Sequence, residues 1–107
     1  NYGNSVHVAA PGGDYQTGAL LSTGVPNCFG PCSSNNTPYA QNLGTSMATP
    51  IVSGVVALAK SANNSLSMKK IRKAIFDNGT YYRKLDKKIK TGMVVNAADV
   101  VNNVINQ

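Results

Sequence analysis

Residues 45–60 constrain the fold more than any other stretch, because the sequence there is small and apolar on almost every side. A helix without a polar face is normally a buried one, and Ser53 and Gly54 are small enough to let it pack closely against a sheet. The run is too short to span a bilayer. We therefore predict a buried helix from Thr45 to about Lys60, with Pro50 near its first turn, where a missing amide costs least.

The rest of the chain predicts a mixture of strands and helices. The alternating segment 6–8 runs into Pro11 and Gly12 and indicates a strand that ends in a turn. Residues 17–24 and 37–43 are candidate strands of a hairpin-like excursion, separated by a surface loop rich in Gly, Pro, Ser and Asn. Two amphipathic helices are predicted at 67–77 and 96–105, with Ser67 and Asn96 as their N-caps. Each has an apolar stripe at helical spacing: Met68, Ile71, Ala74 and Ile75 in the first, and Ala97, Val100, Val101 and Val104 in the second.

Positive charge is concentrated in two runs of the sequence. Ten Lys+Arg against four Asp+Glu give a net charge of +6, and most of the excess lies within 69–73 and 83–90. A nucleic acid or an anionic membrane would suit such runs. A solvated helix face and an exposed loop explain them better, because no aromatic-and-basic stacking pattern accompanies them. We therefore expect neither a nucleic acid nor a membrane as partner.

Cys28 and Cys32 form a C-x3-C pair around a Gly-Pro turn. Zinc would need two more ligands, and His7 is the sole histidine. A disulfide could close the turn, or either cysteine could bond elsewhere in a longer parent chain. Three Asn-x-Ser/Thr sequons suit a secreted protein, at Asn35, Asn63 and Asn78.

Gly44, Thr45 and Ser46 open the predicted buried helix and have the components of a nucleophilic site. A serine hydroxyl attacks a carbonyl only when a base removes its proton and nearby donors receive the developing oxyanion. A serine at a helix N-terminus has free backbone N–H groups and a favourable dipole beside it. The preceding glycine allows close approach of a substrate. A helix that is merely capped by Thr or Ser has the same components, so both interpretations remain open on chemistry alone.

The seven residues Gly44-Thr45-Ser46-Met47-Ala48-Thr49-Pro50 resemble the active-site serine signature of the subtilisin family of serine proteases. Segments 6–12, 66–72 and 90–98 resemble, in order, the strand and turn before the family's serine, its penultimate helix and the step into its last helix. The resemblance covers almost the whole chain. It implies that residues 1–107 are the C-terminal portion of a peptidase domain of the α/β class, with a doubly wound, mostly parallel sheet flanked by helices.

The resemblance also implies roles for single residues. Ser46 is expected to be the nucleophile, and its backbone N–H one oxyanion donor. Thr45 lies beside it and is expected to assist that donor set. Gly44, Leu43 and Asn42 are expected to line the cleft near the scissile bond.

Two departures from the family pattern accompany the resemblance. Ile51 stands where the family has His, a packing change on the buried helix. His7 stands where many members carry Asp, which removes an ionic contact.

The upstream part of the catalytic triad has no counterpart in this sequence. No Asp-Thr/Ser-Gly or His-Gly-x-x-His segment occurs, and no segment matches the family's oxyanion Asn. Asp14 lacks the small neighbours of a catalytic aspartate. His7 lacks the His-Gly context, so we expect it to be structural or at the surface.

We therefore expect a secreted serine endopeptidase fragment that hydrolyses peptide bonds through an acyl-enzyme at Ser46. Its partners would be a polypeptide substrate, the upstream part of the same domain that supplies Asp and His, and an inhibitory propeptide. Calcium is expected only in the parent domain, because no acidic loop here could hold it. Alone, the chain should be near-inactive, should expose the apolar face of residues 48–59 and a sheet edge, and should be prone to association. The alternatives are an inactive subtilisin-like fragment or pseudoenzyme that acts by binding, and an unrelated basic binding domain.

Overall fold

The computed structural model describes residues 1–24 and 38–107. The helices are α1 (Thr45–Ala62), α2 (Met68–Asp77) and α3 (Ala97–Ile105). The strands are β1 (Leu20–Thr23), β2 (Tyr39–Asn42), β3 (Thr80–Tyr81) and β4 (Met93–Val94), and a 3-10 turn lies at Arg83–Leu85. The chain divides into two compact units: residues 1–10 with 49–107, and residues 11–48. We call these the first unit and the second unit.

The hydrophobic core of the first unit is formed by its helices. Apolar residues at helical spacing bury one side of α2 and α3, as the sequence patterns predicted. Ile71, Val100 and Val104 are the largest fully buried side chains among the described residues. The complete cluster of buried residues is Val55, Ala59, Leu66, Ile71, Ala74, Ile75, Val100 and Val104.

Both predicted N-caps are confirmed. The Ser67 hydroxyl accepts a hydrogen bond from the backbone N–H of Lys70, and α2 begins at the next residue. The Asn96 side chain accepts one from the N–H of Asp99 at 3.2 Å, and α3 begins at Ala97. Each cap satisfies one of the amides that a helix N-terminus leaves without a partner.

Parallel pairing joins the N-terminal residues of the first unit to residues 89–94 of the same unit. Gly3 bridges to Ile89 and Ala9 to Val94, both in parallel orientation. The predicted strand at 6–8 is therefore extended and paired, but it does not form a regular strand. Both the N–H and the hydroxyl of Thr91 donate to the His7 carbonyl. The regular sheets among the described residues are two antiparallel pairs, β1 with β2 and β3 with β4.

The second unit contains the predicted hairpin-like excursion. β1 and β2 pair antiparallel over four residues, from Leu20 opposite Asn42 to Thr23 opposite Tyr39. Cys28 and Cys32, whose pairing the sequence leaves open, and the sequon at Asn35 lie outside the described residues.

α1 confirms the predicted helix and corrects one of its details. Only Val55 and Ala59 are buried among its residues, and Leu58 is 55% exposed. The apolar face of the helix is thus largely open in this chain, as expected for the chain alone. Pro50 lies inside the helix as its sixth residue, beyond the first turn. It has no N–H to donate to the Ser46 carbonyl one turn earlier. No helix among the described residues is both long and apolar enough to cross a membrane.

Candidate active site

Ser46 is the second residue of α1 and is exposed to solvent. The first N–H groups of a helix have no carbonyl one turn earlier to bond to, and they carry the positive end of the helix dipole. The N–H of Ser46 belongs to this set. A hydroxyl and a backbone donor therefore lie together at one exposed helix end, which is the combination that acyl transfer requires of a nucleophile.

Gly44 forms the turn that leads into this helix. Its φ of 126° lies in a region that residues with a side chain rarely adopt. Its carbonyl accepts the N–H of Met47 at 2.9 Å, which closes the turn around Thr45 and Ser46. The glycine of the serine signature is thus required by backbone geometry.

A second glycine contacts this turn from a distant part of the sequence. The N–H of Gly44 donates to the carbonyl of Gly12 at 2.7 Å. A Cβ placed on Gly12 would lie only 2.7 Å from the Gly44 carbonyl oxygen. Sequence reasoning assigned Gly12 to a turn and missed this contact. Only its place in the family's Pro-Gly turn before the serine could have suggested it.

The other predicted cleft residues lie in the same short segment as Ser46. Asn42 is the last residue of β2 and is half-buried, whereas Leu43 is 36% exposed between β2 and α1. Thr45 is the first residue of α1 and is exposed. Their roles toward a substrate stay predictions.

His7 packs in the first unit and is half-buried there. Its ring stacks on Phe76 with a centroid distance of 4.8 Å and an angle of 12° between the ring planes. The guanidinium of Arg72 lies 5.5 Å from the centre of the same Phe76 ring. These contacts give the imidazole a packing role, in line with the structural role expected from the sequence.

The carboxylates of Asp14 and Asp77 are engaged locally. Asp14 accepts the N–H of Thr17 at 2.5 Å and of Gln16 at 2.7 Å, and these hydrogen bonds, Thr17 first, lower the pKa of its exposed carboxyl. Asp77 pairs with Lys73 one helical turn earlier. Within residues 1–24 and 38–107, no ion pair joins a carboxylate to His7. Asp14 thus stabilises its own turn.

The described residues do not fit a calcium site. They contain no group of three or more His, Cys, Asp or Glu that could hold a metal. Asp77 and Asp99 line one polar depression beside α2 and α3, but the first carboxylate pairs with Lys73 and the second accepts the Asn96 amide at 2.7 Å. Calcium in the parent domain stays a prediction that concerns other residues.

Two of the sequon asparagines have structural hydrogen bonds. The Asn63 side-chain amide donates to the Val104 carbonyl at 2.9 Å, and its oxygen accepts the Ser65 hydroxyl at 2.6 Å. The Asn78 amide donates to the Ala74 carbonyl at 2.8 Å and so caps the end of α2. The sequon pattern could not reveal these contacts, because they depend on residues brought close by the helices.

The chain matches the model of a known protein family. The model of the subtilase family, peptidase family S8, matches residues 1–102. The chain belongs to the subtilase family. The match includes the serine signature, so the resemblance seen in the sequence is confirmed.

Named relatives of this subtilase chain are proteases. An extracellular basic protease of Dichelobacter nodosus is 37% identical over 110 residues, which cover 98% of this chain and 17% of that protein. Halolysin of Haloferax mediterranei is 41% identical over 64 residues, covering 60% of this chain and 10% of that protein. Subtilisin-like protease 3 of Plasmodium falciparum is 30% identical over 98 residues, covering 92% and 11%. The chain therefore spans only a small part of each relative.

Solved structures support the predicted α/β subtilase fold. A structure of the subtilase cytotoxin SubAB assembly matches with a TM-score of 0.76 and 25% identity, over 99% of this chain and 29% of that chain. The A-subunit of the AB5 toxin from E. coli matches with a TM-score of 0.75 and 25% identity, over 98% and 29%. The fold class predicted for the chain is thus confirmed.

Proposed function

We propose that this chain is the nucleophile-bearing part of a serine endopeptidase, in which Ser46 attacks the carbonyl carbon of a peptide bond. The position of Ser46 is the observation on which the proposal rests. Ser46 is exposed, is the second residue of α1, and lies in the turn that begins at Gly44, whose φ is positive. Membership of the subtilase family, whose named relatives are proteases, supports the same role.

The reaction would proceed in two halves. A base removes the proton of the Ser46 hydroxyl as its oxygen attacks, and the tetrahedral oxyanion accepts a hydrogen bond from the Ser46 N–H. The protonated base then gives its proton to the leaving amine, which leaves an acyl-enzyme at Ser46. Water, deprotonated by the same base, attacks the ester and releases the acid and the free hydroxyl.

The base and its orienting carboxylate would come from the upstream part of the same domain. His7 is the sole histidine in the sequence, and its ring stacks on Phe76. Asp14 is committed to its own turn. We therefore expect the chain alone to be near-inactive, since an unassisted serine hydroxyl is a weak nucleophile.

The partners and location follow from this role as further proposals. A polypeptide substrate would lie against segment 42–45, and an inhibitory propeptide could occupy the same surface before activation. The similarity to an extracellular basic protease supports secretion.

The test is labelling with a fluorophosphonate probe, which reacts with activated serines, followed by mass spectrometry. The chain would be incubated alone and joined to the upstream part of its catalytic domain. We expect label on Ser46 only in the joined protein, and none in Ser46→Ala. Ser53→Ala is the matched control, because Ser53 is also an exposed serine of α1 but its hydroxyl donates to the Thr49 carbonyl at 3.2 Å. This variant should label like the wild type.

Two results would contradict the proposal in different ways. Labelling of the chain alone would show that it contains its own base. Absence of label in the joined protein, with circular dichroism showing it folded, would favour the alternative of a pseudoenzyme that acts by binding. This alternative is retained because His7 and Asp14 are both engaged in local contacts.

A further inference from the structure

We infer that Gly12 is a positioning residue for Ser46, restricted to glycine because the turn before the nucleophile leaves no room for a side chain. The inference rests on the proposed role of Ser46 and adds to the site a residue from outside the serine segment. It concerns the second unit alone, which contains Gly12, Gly44 and Ser46.

The contact is a close approach of two backbones. The Gly12 carbonyl accepts the Gly44 N–H at 2.7 Å. A Cβ on Gly12 would lie 2.7 Å from the Gly44 carbonyl oxygen, 3.2 Å from its carbon and 3.6 Å from the Ala48 Cβ. Such a Cβ would contact both the turn at Gly44 and the first helical turn of α1. The structure therefore has no space for an added methyl group at Gly12.

Space alone, and not backbone conformation, restricts Gly12. Its neighbour Gly13 has a φ of 68° and Gly44 one of 126°, both in the region that favours glycine, whereas Gly12 lies outside that region. A left-handed backbone conformation is therefore not what restricts this position to glycine. Gly12→Ala consequently tests the lack of space around its Cβ.

The contact reaches Ser46 through the Gly44 carbonyl. This oxygen accepts the Met47 N–H at 2.9 Å and so closes the turn in which Ser46 lies. A Cβ on Gly12 must displace that oxygen, because backbone atoms cannot give way as the end of a flexible side chain can. The displacement would shift the Ser46 hydroxyl relative to its base, and reactions of this kind depend steeply on such geometry.

The first experiment compares fluorophosphonate labelling of the joined protein with that of its Gly12→Ala variant, at several probe concentrations. We expect the maximal rate of Ser46 labelling to fall by about 10²-fold, the scale of a displacement of roughly 1 Å, while the probe concentration at half-maximal rate changes little. Gly79→Ala is the matched control. Its Cβ would lie 2.7 Å from the Val94 carbonyl oxygen in the first unit, and its φ also lies outside the glycine region.

The second experiment does not depend on activity. Amide hydrogen exchange of the chain should show faster exchange at Gly44 and Met47 in Gly12→Ala, by at least about tenfold, and unchanged exchange there in Gly79→Ala. Equal labelling rates for Gly12→Ala and wild type would overturn the inference, as would equal losses in both glycine variants. If the wild type itself does not label, the proposed function fails, and unchanged Gly44 and Met47 exchange in Gly12→Ala would still overturn the inference by itself.

Discussion

At the scale of single residues, the structure separates motifs by what their side chains touch. Ser46 keeps an exposed position at the start of α1, as the serine signature predicted. Asn63 and Asn78 match a glycosylation pattern, but both side-chain amides donate to backbone carbonyls. His7 is the sole histidine, and its ring packs on Phe76. A residue type indicates a chemistry, and its contacts decide whether that chemistry is available.

Asn63→Asp should destabilise the first unit. The change removes the amide that donates to the Val104 carbonyl and places a carboxylate against that oxygen. We expect the free energy of unfolding to fall by about 1–3 kcal/mol, the cost of leaving a partly buried polar group unsatisfied. Urea denaturation would measure it. The neighbouring exposed Asn64→Asp adds the same charge and should change stability by less than about 0.5 kcal/mol. Equal effects of the two substitutions would show that the Val104 contact contributes nothing.

At the scale of elements, the helices α2 and α3 follow their sequence patterns closely. Both begin after the predicted cap residues, and both bury the predicted stripe. One member of the α2 stripe does not follow it, because Met68 in the first turn is 57% exposed while Ile71 is fully buried. A stripe gives the direction of a helix face, but the neighbouring elements decide how far along the helix that face is covered.

Ile71→Ala should therefore cost far more than Met68→Ala on the same helix. Removing a fully buried Ile side chain typically lowers the free energy of unfolding by about 2–5 kcal/mol, from lost burial and the cavity that remains. The exposed Met68 should cost less than about 0.5 kcal/mol, since alanine is also the best helix former. Thermal and urea unfolding of the two variants would test this. Similar costs for both would mean that α2 is not packed as the structure shows.

At the scale of the whole molecule, the chain has more apolar surface than it covers. The first unit has a continuous core, but α1 contributes only Val55 and Ala59 to it. Leu58 is 55% exposed on a helix whose sequence predicts complete burial. The solved structures of the family are much longer, since this chain covers 29% of each. These facts are consistent with an α1 that is covered by other parts of a complete subtilase domain.

Leu58→Gln should reduce association of the chain when it is studied alone. An exposed apolar helix face favours contacts between copies, and a polar side chain at its centre weakens them. We expect the apparent mass in light scattering to fall toward that of a monomer. Ile105→Gln is the matched control, because Ile105 is 58% exposed on α3 but belongs to no comparable apolar run. An unchanged mass in Leu58→Gln, or an equal decrease in both variants, would contradict this explanation.

Local patterns in the sequence determined the three helices and the β1–β2 hairpin, whereas β3 and β4 were not predicted. The apolar run gave α1, the caps and stripes gave α2 and α3, and the two candidate strands gave the β1–β2 hairpin. The serine signature gave the position of Ser46 and the family. These features depend on residues within one or two helical turns or along one strand. Apolar periodicity and capping residues are patterns over the same short distances, so they can be recognised in the sequence.

Only the tertiary structure decided the contacts between distant segments. It brought Gly12 against Gly44, His7 against Phe76 and Asn63 against Val104. It also decided which residues of α1 are covered in this chain, namely Val55 and Ala59. The physical reason is that close approach, stacking and burial depend on which surfaces meet. No pattern along the chain specifies that meeting until the segments are packed together.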